Sequence, residues 1–145
     1  MMNVPEGFQP LFRSSPLLDL LGPFFCRQDA QRQLVVALRI DEKHCNHGGT
    51  AHGGLLSTLA DVGLGYAMAF SREPPQPMVT VGLRLDFCGV ARVGDWLEVH
   101  TRVDKLGQRM AFASARLHSG ERLVASASGV FHLPEARACL PGRLP

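Results

Sequence analysis

The 145-residue sequence predicts an α+β domain in which an antiparallel β-sheet wraps one long central helix. Three observations carry that expectation. Residues 51 to 70 hold apolar side chains spread too widely around a helix to leave a polar face, so the helix should be buried all round. Segments on both sides of it alternate apolar and polar residues with the period of half-buried strands. The strands after the helix follow one another through short turns, which suits antiparallel neighbours.

The elements follow in order. Residues 1 to 13 read as an irregular lead-in. Ser15 is placed to cap a short helix through Leu17, Leu18, Leu20 and Leu21, with Pro16 in its first turn, and Gly22-Pro23 stops it, so that residues 1 to 31 form a lead-in with one short helix. From Gln33 to Asp41, Leu34, Val36, Leu38 and Ile40 mark a strand. A loop rich in His, Asn and Gly precedes the long helix, and the three prolines of Pro74-Pro75-Gln76-Pro77 end it. Val79 to Phe87 and Leu97 to Val103 are the next strands, joined at Val93-Gly94-Asp95. Met110 to His118 and Arg122 to Phe131 form a hairpin about Ser119-Gly120, and residues 134 to 145 are a tail to this single domain.

Composition narrows the function classes. A net charge of +2, without a basic run, gives no footprint for nucleic acid. Lys43 and Lys105 are the only lysines among 15 basic residues, an Arg bias that suits bidentate capture of phosphate. No stretch approaches the ~20 apolar residues needed to cross a bilayer. Four scattered cysteines, Cys26, Cys45, Cys88 and Cys139, form no C-x-x-C pair, and the sequence opens without the pattern of a signal peptide, so a cytoplasmic location is expected.

One residue resists a structural explanation. Between Lys43 and Arg72 the only formal charge is Asp61, in mid-helix, too far from either end to cap. An ionised carboxylate buried without partners costs several kcal/mol, so Asp61 needs either an internal ion pair with an Arg or a chemical task as base or nucleophile. The loop His44-Cys45-Asn46-His47-Gly48-Gly49-Thr50-Ala51-His52 leads into Gly53-Gly54, where unpaired N–H groups and the positive helix end could hold an oxyanion. Glycines that merely make a turn are the plainer reading. Gly53 and Asp61 are eight residues apart, about 12 Å of helix rise. If both serve one carbonyl, the carboxylate comes from one subunit and the helix start from a second, across a two-fold dimer.

The spacing Asn46, Gly49, His52-Gly53-Gly54, Asp61, followed by Val79-Thr80-Val81 and Val93-Gly94-Asp95-Trp96-Leu97-Glu98-Val99, resembles the PaaI-like branch of the hotdog-fold acyl-CoA thioesterases over residues 32 to 132. That resemblance implies a hotdog fold and a homodimer paired edge to edge, two of which often pair into a tetramer, with no cofactor and no metal. It implies hydrolysis of a small, medium or aryl acyl-CoA, with Asp61 as base or nucleophile and the Gly53 N–H on the thioester oxygen. Asn46 and Thr80 would position water, His52 would orient the substrate, and Gly54 would line its path. Arg84, Arg92, Arg102, Lys105 and Arg109 are candidates to meet the coenzyme A phosphates. The segment Phe87-Cys88-Gly89-Val90-Ala91-Arg92 departs from the Arg-Pro or Ser-Pro type common in relatives.

Rival chemistries are fewer. His44, Cys45, His47 and His52 include good zinc ligands but fit no standard zinc spacing. Cys45 as a nucleophile beside His44 or His47 lacks an orienting third group. A hotdog protein that binds or senses acyl-CoA or an acyl carrier without cleaving it, and an acyl-CoA hydratase on the same fold, complete the alternatives. Met68, Phe70, Met78 and Phe87 are candidate walls of the acyl pocket.

Overall fold

The computed structural model describes residues 2–135. It contains a seven-stranded antiparallel sheet in the order β1-β2-β3-β5-β6-β7-β4. The strands are β1 (Gln9–Pro10), β2 (Phe24–Gln28), β3 (Leu34–Arg39), β4 (Val79–Phe87), β5 (Trp96–Leu106), β6 (Met110–Ser119) and β7 (Arg122–His132). A short helix α1 (Pro16–Leu21) precedes β2, and the long helix α2 (Gly53–Ala69) lies against the inner face of the sheet. This is the wrapped-helix architecture expected. The tail lies, past Glu135, outside the described residues.

Several local expectations hold. Ser15 caps α1 by accepting the Leu18 N–H at 3.3 Å, with Pro16 at the first helical position. The β6–β7 hairpin is present, but its turn pair is Gly120-Glu121 rather than Ser119-Gly120, because Ser119 still pairs with Arg122, and Gly120 takes the positive φ of +60° that favours glycine. Strands β1 and β2, by contrast, escape the period-two pattern. Phe24, Phe25 and Cys26 are all buried, because the outward Phe25 is covered by Trp96 at 5.4 Å between ring centres, and Phe8 packs edge-on to the same Trp at 5.1 Å. With apolar cover on both faces, alternation disappears.

Leu38, Leu59, Leu64, Met68, Leu97, Leu117 and Phe131 form the centre of the core. Packing between helix and sheet is tight enough to require glycine at Gly63, where an added Cβ would lie 2.6 Å from Cγ1 of the fully buried Val99. Gly63→Ala is therefore expected to cost about 1–3 kcal/mol, seen as a lower urea midpoint; an unchanged midpoint would contradict that contact.

The helix is not buried all round. Its Leu55, Leu56, Leu59, Leu64 and Met68 face the core, whereas Thr58, Asp61, Val62, Gly65 and Tyr66 are half-buried. Those residues line a cavity described below, so their apolar character serves an internal space rather than the core.

The outer face of the sheet is polar. There the Glu98 carboxylate accepts from His100 Nε2 at 2.8 Å and faces Arg27 at 3.6 Å. The His100 hydrogen bond, with the nearby cations and against burial, holds its carboxyl below the ordinary range. Glu98 then adds stability above its ordinary value near 4.5, and the contribution is lost as pH falls through the lower folded value. Chemical-unfolding curves should show wild type losing more stability than Glu98→Gln between about pH 5 and 3, whereas equal pH slopes would refute the assignment.

Candidate active site

The loop before α2 is built from its own polar side chains. Asn46 Oδ1 accepts the N–H groups of Gly48 and Thr50 at 3.0 and 3.2 Å, and Asn46 Nδ2 donates to Thr50 Oγ1 at 3.1 Å. Gly49 has φ +81°, the left-handed conformation that lets the loop turn. In this chain the Asn46 side chain is thus engaged in shaping the loop. Thr50 bridges to Arg92 and the Ala51 N–H donates to the Ala91 carbonyl at 2.8 Å, so the unusual segment after β4 supports the loop.

His44 is a core residue. It is buried, its Nδ1 accepts the Asp41 N–H at 2.8 Å, and its Nε2 contacts the Leu21 carbonyl oxygen at 2.5 Å, so both ring nitrogens are occupied. Its backbone carbonyl accepts the His52 N–H at 2.8 Å. His52 caps α2, its Nδ1 accepting the Gly54 N–H at 2.9 Å. Gly54 was expected to face substrate, but that cap uses its donor. Among the described residues the N–H of Gly53 meets no acceptor, which leaves it as the donor at the positive helix end. The ring of Phe87 lies over this spot, 3.2 Å from where a Gly53 Cβ would stand.

Two turns along α2, Thr80 Oγ1 donates to Asp61 Oδ1 at 2.6 Å. Asp61 is half-buried rather than enclosed, and no ion pair neutralises it among the described residues. It opens onto a cavity of about 400 Å³. Thr58, Asp61, Val62, Gly65, Tyr66 and Ala69 form one wall of that cavity, a stripe at helical spacings of three and four. Phe70, Met78 and Phe131 supply apolar surface, and Arg13, Ser15, Leu17 and Leu18 close it from the N-terminal segment and α1. Burial pushes the Tyr66 phenol up and the Arg13 guanidinium draws it part of the way back. Phe12 stacks on Tyr66 at 5.9 Å and meets Phe70 edge-on at 4.7 Å, tying the lead-in to the cavity wall.

The structure brings Asp61 and Thr80 together and sets Gly53 and His52 at the far end of the same helix. Phe70 and Met78 line the cavity as anticipated; Met68 belongs to the core, and Phe87 stands at the helix start instead. Of the phosphate candidates, Arg84 lies exposed on β4 with Asp86 at 3.5 Å, and the backbone of Arg92 is pinned to Asp95. Arg102 pairs with Asp104 at 3.1 Å, while Lys105 and Arg109 border the β5–β6 turn, so the five do not form one site. Arg13, Thr58 and Tyr66 were not foreseen as site residues. The stripe containing Asp61 was the available signal for two of them, whereas Arg13 reaches the cavity from a segment with no period to read.

The model of the thioesterase superfamily matches residues 48–126, a span that starts in the Asn46 loop and takes in Asp61 and Thr80. The chain belongs to that superfamily and is a hotdog-fold thioester hydrolase. It is 29% identical over 115 residues to mouse acyl-coenzyme A thioesterase 13, covering 79% of this chain and 81% of the relative. Zebrafish thioesterase superfamily member 2 superposes with a TM-score of 0.74 at 28% identity, over 83% of this chain and 88% of that one. A variant of the phenylacetic acid degradation protein PaaI from Thermus thermophilus gives a TM-score of 0.70 at 28% identity, over 83% of this chain and 100% of that one.

Proposed function

We propose that this protein hydrolyses acyl-CoA thioesters, with Asp61 as the base or nucleophile and the Gly53 N–H of a second subunit as the oxyanion donor. The observation that carries this reading is the 2.6 Å Thr80–Asp61 hydrogen bond at the mouth of a largely apolar cavity. The Asp61 carboxylate is held by a hydroxyl donor on one oxygen, has no ion pair among the described residues, and faces a space suited to an acyl chain. The names of the similar proteins agree with this reading: one is an acyl-coenzyme A thioesterase, and the other, a phenylacetic acid degradation protein, suits the aryl option within the small, medium or aryl acyl groups proposed.

The edge strand β4 supports the second-subunit part. Its Thr80 sits at Asp61 and its Phe87 at Gly53, so one strand spans both halves of the chemistry. β4 pairs only with β7 among the described strands, and its Val79 and Val81 are exposed. A free apolar edge invites a second copy. Antiparallel self-pairing about the middle of β4 would carry the Thr80 end of one subunit toward the Phe87 end of the other, matching Asp61 with the partner helix start. A tetramer made of two such dimers and a cytoplasmic site of action, where acyl-CoA is made and used, complete the reading.

In the reaction, either Asp61 takes a proton from water as the water oxygen attacks the thioester carbon, or Asp61 attacks that carbon itself to form a mixed anhydride that water then hydrolyses; in both, the Gly53 N–H steadies the carbonyl oxygen as it gains charge, the C–S bond breaks, and CoA departs as thiolate. Thr80 is a positioning residue, since it acts through Asp61. In assays of phenylacetyl-, short- and medium-chain acyl-CoAs, Thr80→Val should lower kcat about tenfold with little change in KM, and Thr80→Ser should restore it. Intact wild-type acyl-CoA after long incubation across that panel would favour the binding or sensing alternative and end the proposal.

A further inference from the structure

A second polar cluster lies on the outward face of the sheet, opposite the face that α2 covers. Strand register assembles it: His100 on β5 lies across from Arg116 on β6, Arg116 across from Ser126 on β7, and Arg102 across from Ser114. Cross-strand partners project from the same face within about 5.5 Å, so these groups converge. The rings of His100 and His118 stand 6.1 Å apart, nearly perpendicular. The side chains border a depression of about 470 Å³ whose lining contains two arginines, two histidines and two serine hydroxyls, and no acid.

The acids nearby are already occupied. Glu98 is held by His100 and Arg27, and Asp104 by Arg102 Nε at 3.1 Å, which leaves the terminal nitrogens of Arg102 available. Arg116 has no carboxylate within ion-pair reach among the described residues. The surplus is positive, and it is felt locally: His118 is held below its ordinary value by burial first, then by His100 and Arg116, with Glu98 pulling the other way. Like charges gathered in a concave site are stabilised by a bound anion. A guanidinium, imidazoles and hydroxyls arriving from three strands offer more donors than one carboxylate can accept, and they suit the several oxygens of a phosphate.

We propose that this depression binds a phosphate group, with Arg116 as its principal cation, Arg102 and His118 beside it, and Ser114 and Ser126 as hydroxyl donors. The assignment uses no residue of the Asp61 cavity, so it stands or falls apart from the role of Asp61; Arg102 is its one member among the arginines considered above for the coenzyme A phosphates. Free inorganic phosphate and the phosphates of a nucleotide share this chemistry.

The test is calorimetric titration of the full chain, in phosphate-free buffer, with inorganic phosphate and separately with adenosine 3′,5′-bisphosphate, alongside an NMR titration of His118. Saturable binding at one site per chain is expected, with the His118 midpoint moving up as phosphate is added, because the anion favours the imidazolium. Arg116→Gln should weaken binding by about tenfold or more while leaving the urea midpoint unchanged. A nucleotide bound about tenfold more tightly than inorganic phosphate would assign the source to a nucleotide, and equal affinities would assign it to phosphate itself. Absence of saturable binding, a His118 midpoint that does not move, or an Arg116→Gln variant that binds as wild type does would each overturn the proposal. Sheet-to-sheet assembly that covers the cluster would register as the first of these.

Discussion

Asp61→Asn is expected to lower kcat/KM for acyl-CoA by about 100-fold to 10,000-fold, the usual range for a placed base. The substitution is chosen for what it keeps. Asn has the shape of Asp, and its carbonyl oxygen can still accept the Thr80 hydroxyl, so the 2.6 Å contact survives while the charge and the proton-accepting capacity are removed. Folding should be little affected, because Asp61 is half-buried and makes no ion pair among the described residues, so no partner cation is stranded. A fall in rate with an unchanged urea midpoint therefore separates chemistry from structure. The measurement is CoA release under saturating thiol reagent, for wild type and variant at matched concentration. Equal rates would remove Asp61 from the reaction even if the wild type is active, and would shift attention to other donors at the cavity.

How much of this was legible in the sequence depends on whether a residue's task is local. The strands β5 to β7 announced themselves because each turns alternate residues toward α2 and toward the outer face, the condition that produces alternation, whereas β3 is buried on both faces and its polar–apolar alternation is incomplete. Strand β2 lacks that condition: Phe25 is covered by Trp96 and Phe8 on its outer side, a long-range contact that no short window contains. The Asp61 anomaly was legible because one charge in a long neutral helix is visible without coordinates. What could not be read was that the helix has an open side. Apolar Val62 and Tyr66 beside Asp61 look like core residues, and only the placement of α1 and Arg13 opposite them turns that stripe into a cavity wall. The division of labour at the helix start was equally hidden, since adjacent glycines look alike until His52 is seen to cap Gly54 and spare Gly53.

Gly53→Pro tests that spared donor and the origin of the two halves of the site together. Proline deletes the N–H yet is well tolerated at the first position of a helix, where the donor has no intrahelical acceptor. His52 already has φ −64° and ψ 139°, the extended conformation that a following proline requires. The added ring atoms would press on Phe87, whose side chain is largely exposed and able to turn away. If Gly53 donates to the thioester oxygen, kcat should fall about 100-fold to 1,000-fold, the loss typical of one oxyanion donor. Mixing then locates the donor. In a two-fold dimer with sites built across the seam, unfolding and refolding equal amounts of Gly53→Pro and Asp61→Asn chains yields mixed dimers. Each has one site missing both groups and one site intact, so about a quarter of the wild-type rate should return. Each variant refolded alone should recover nothing. If the two halves belonged to one chain, every site in the mixture would carry a lesion and no activity would reappear, which would refute the shared site while leaving the separate roles of Asp61 and Gly53 in place.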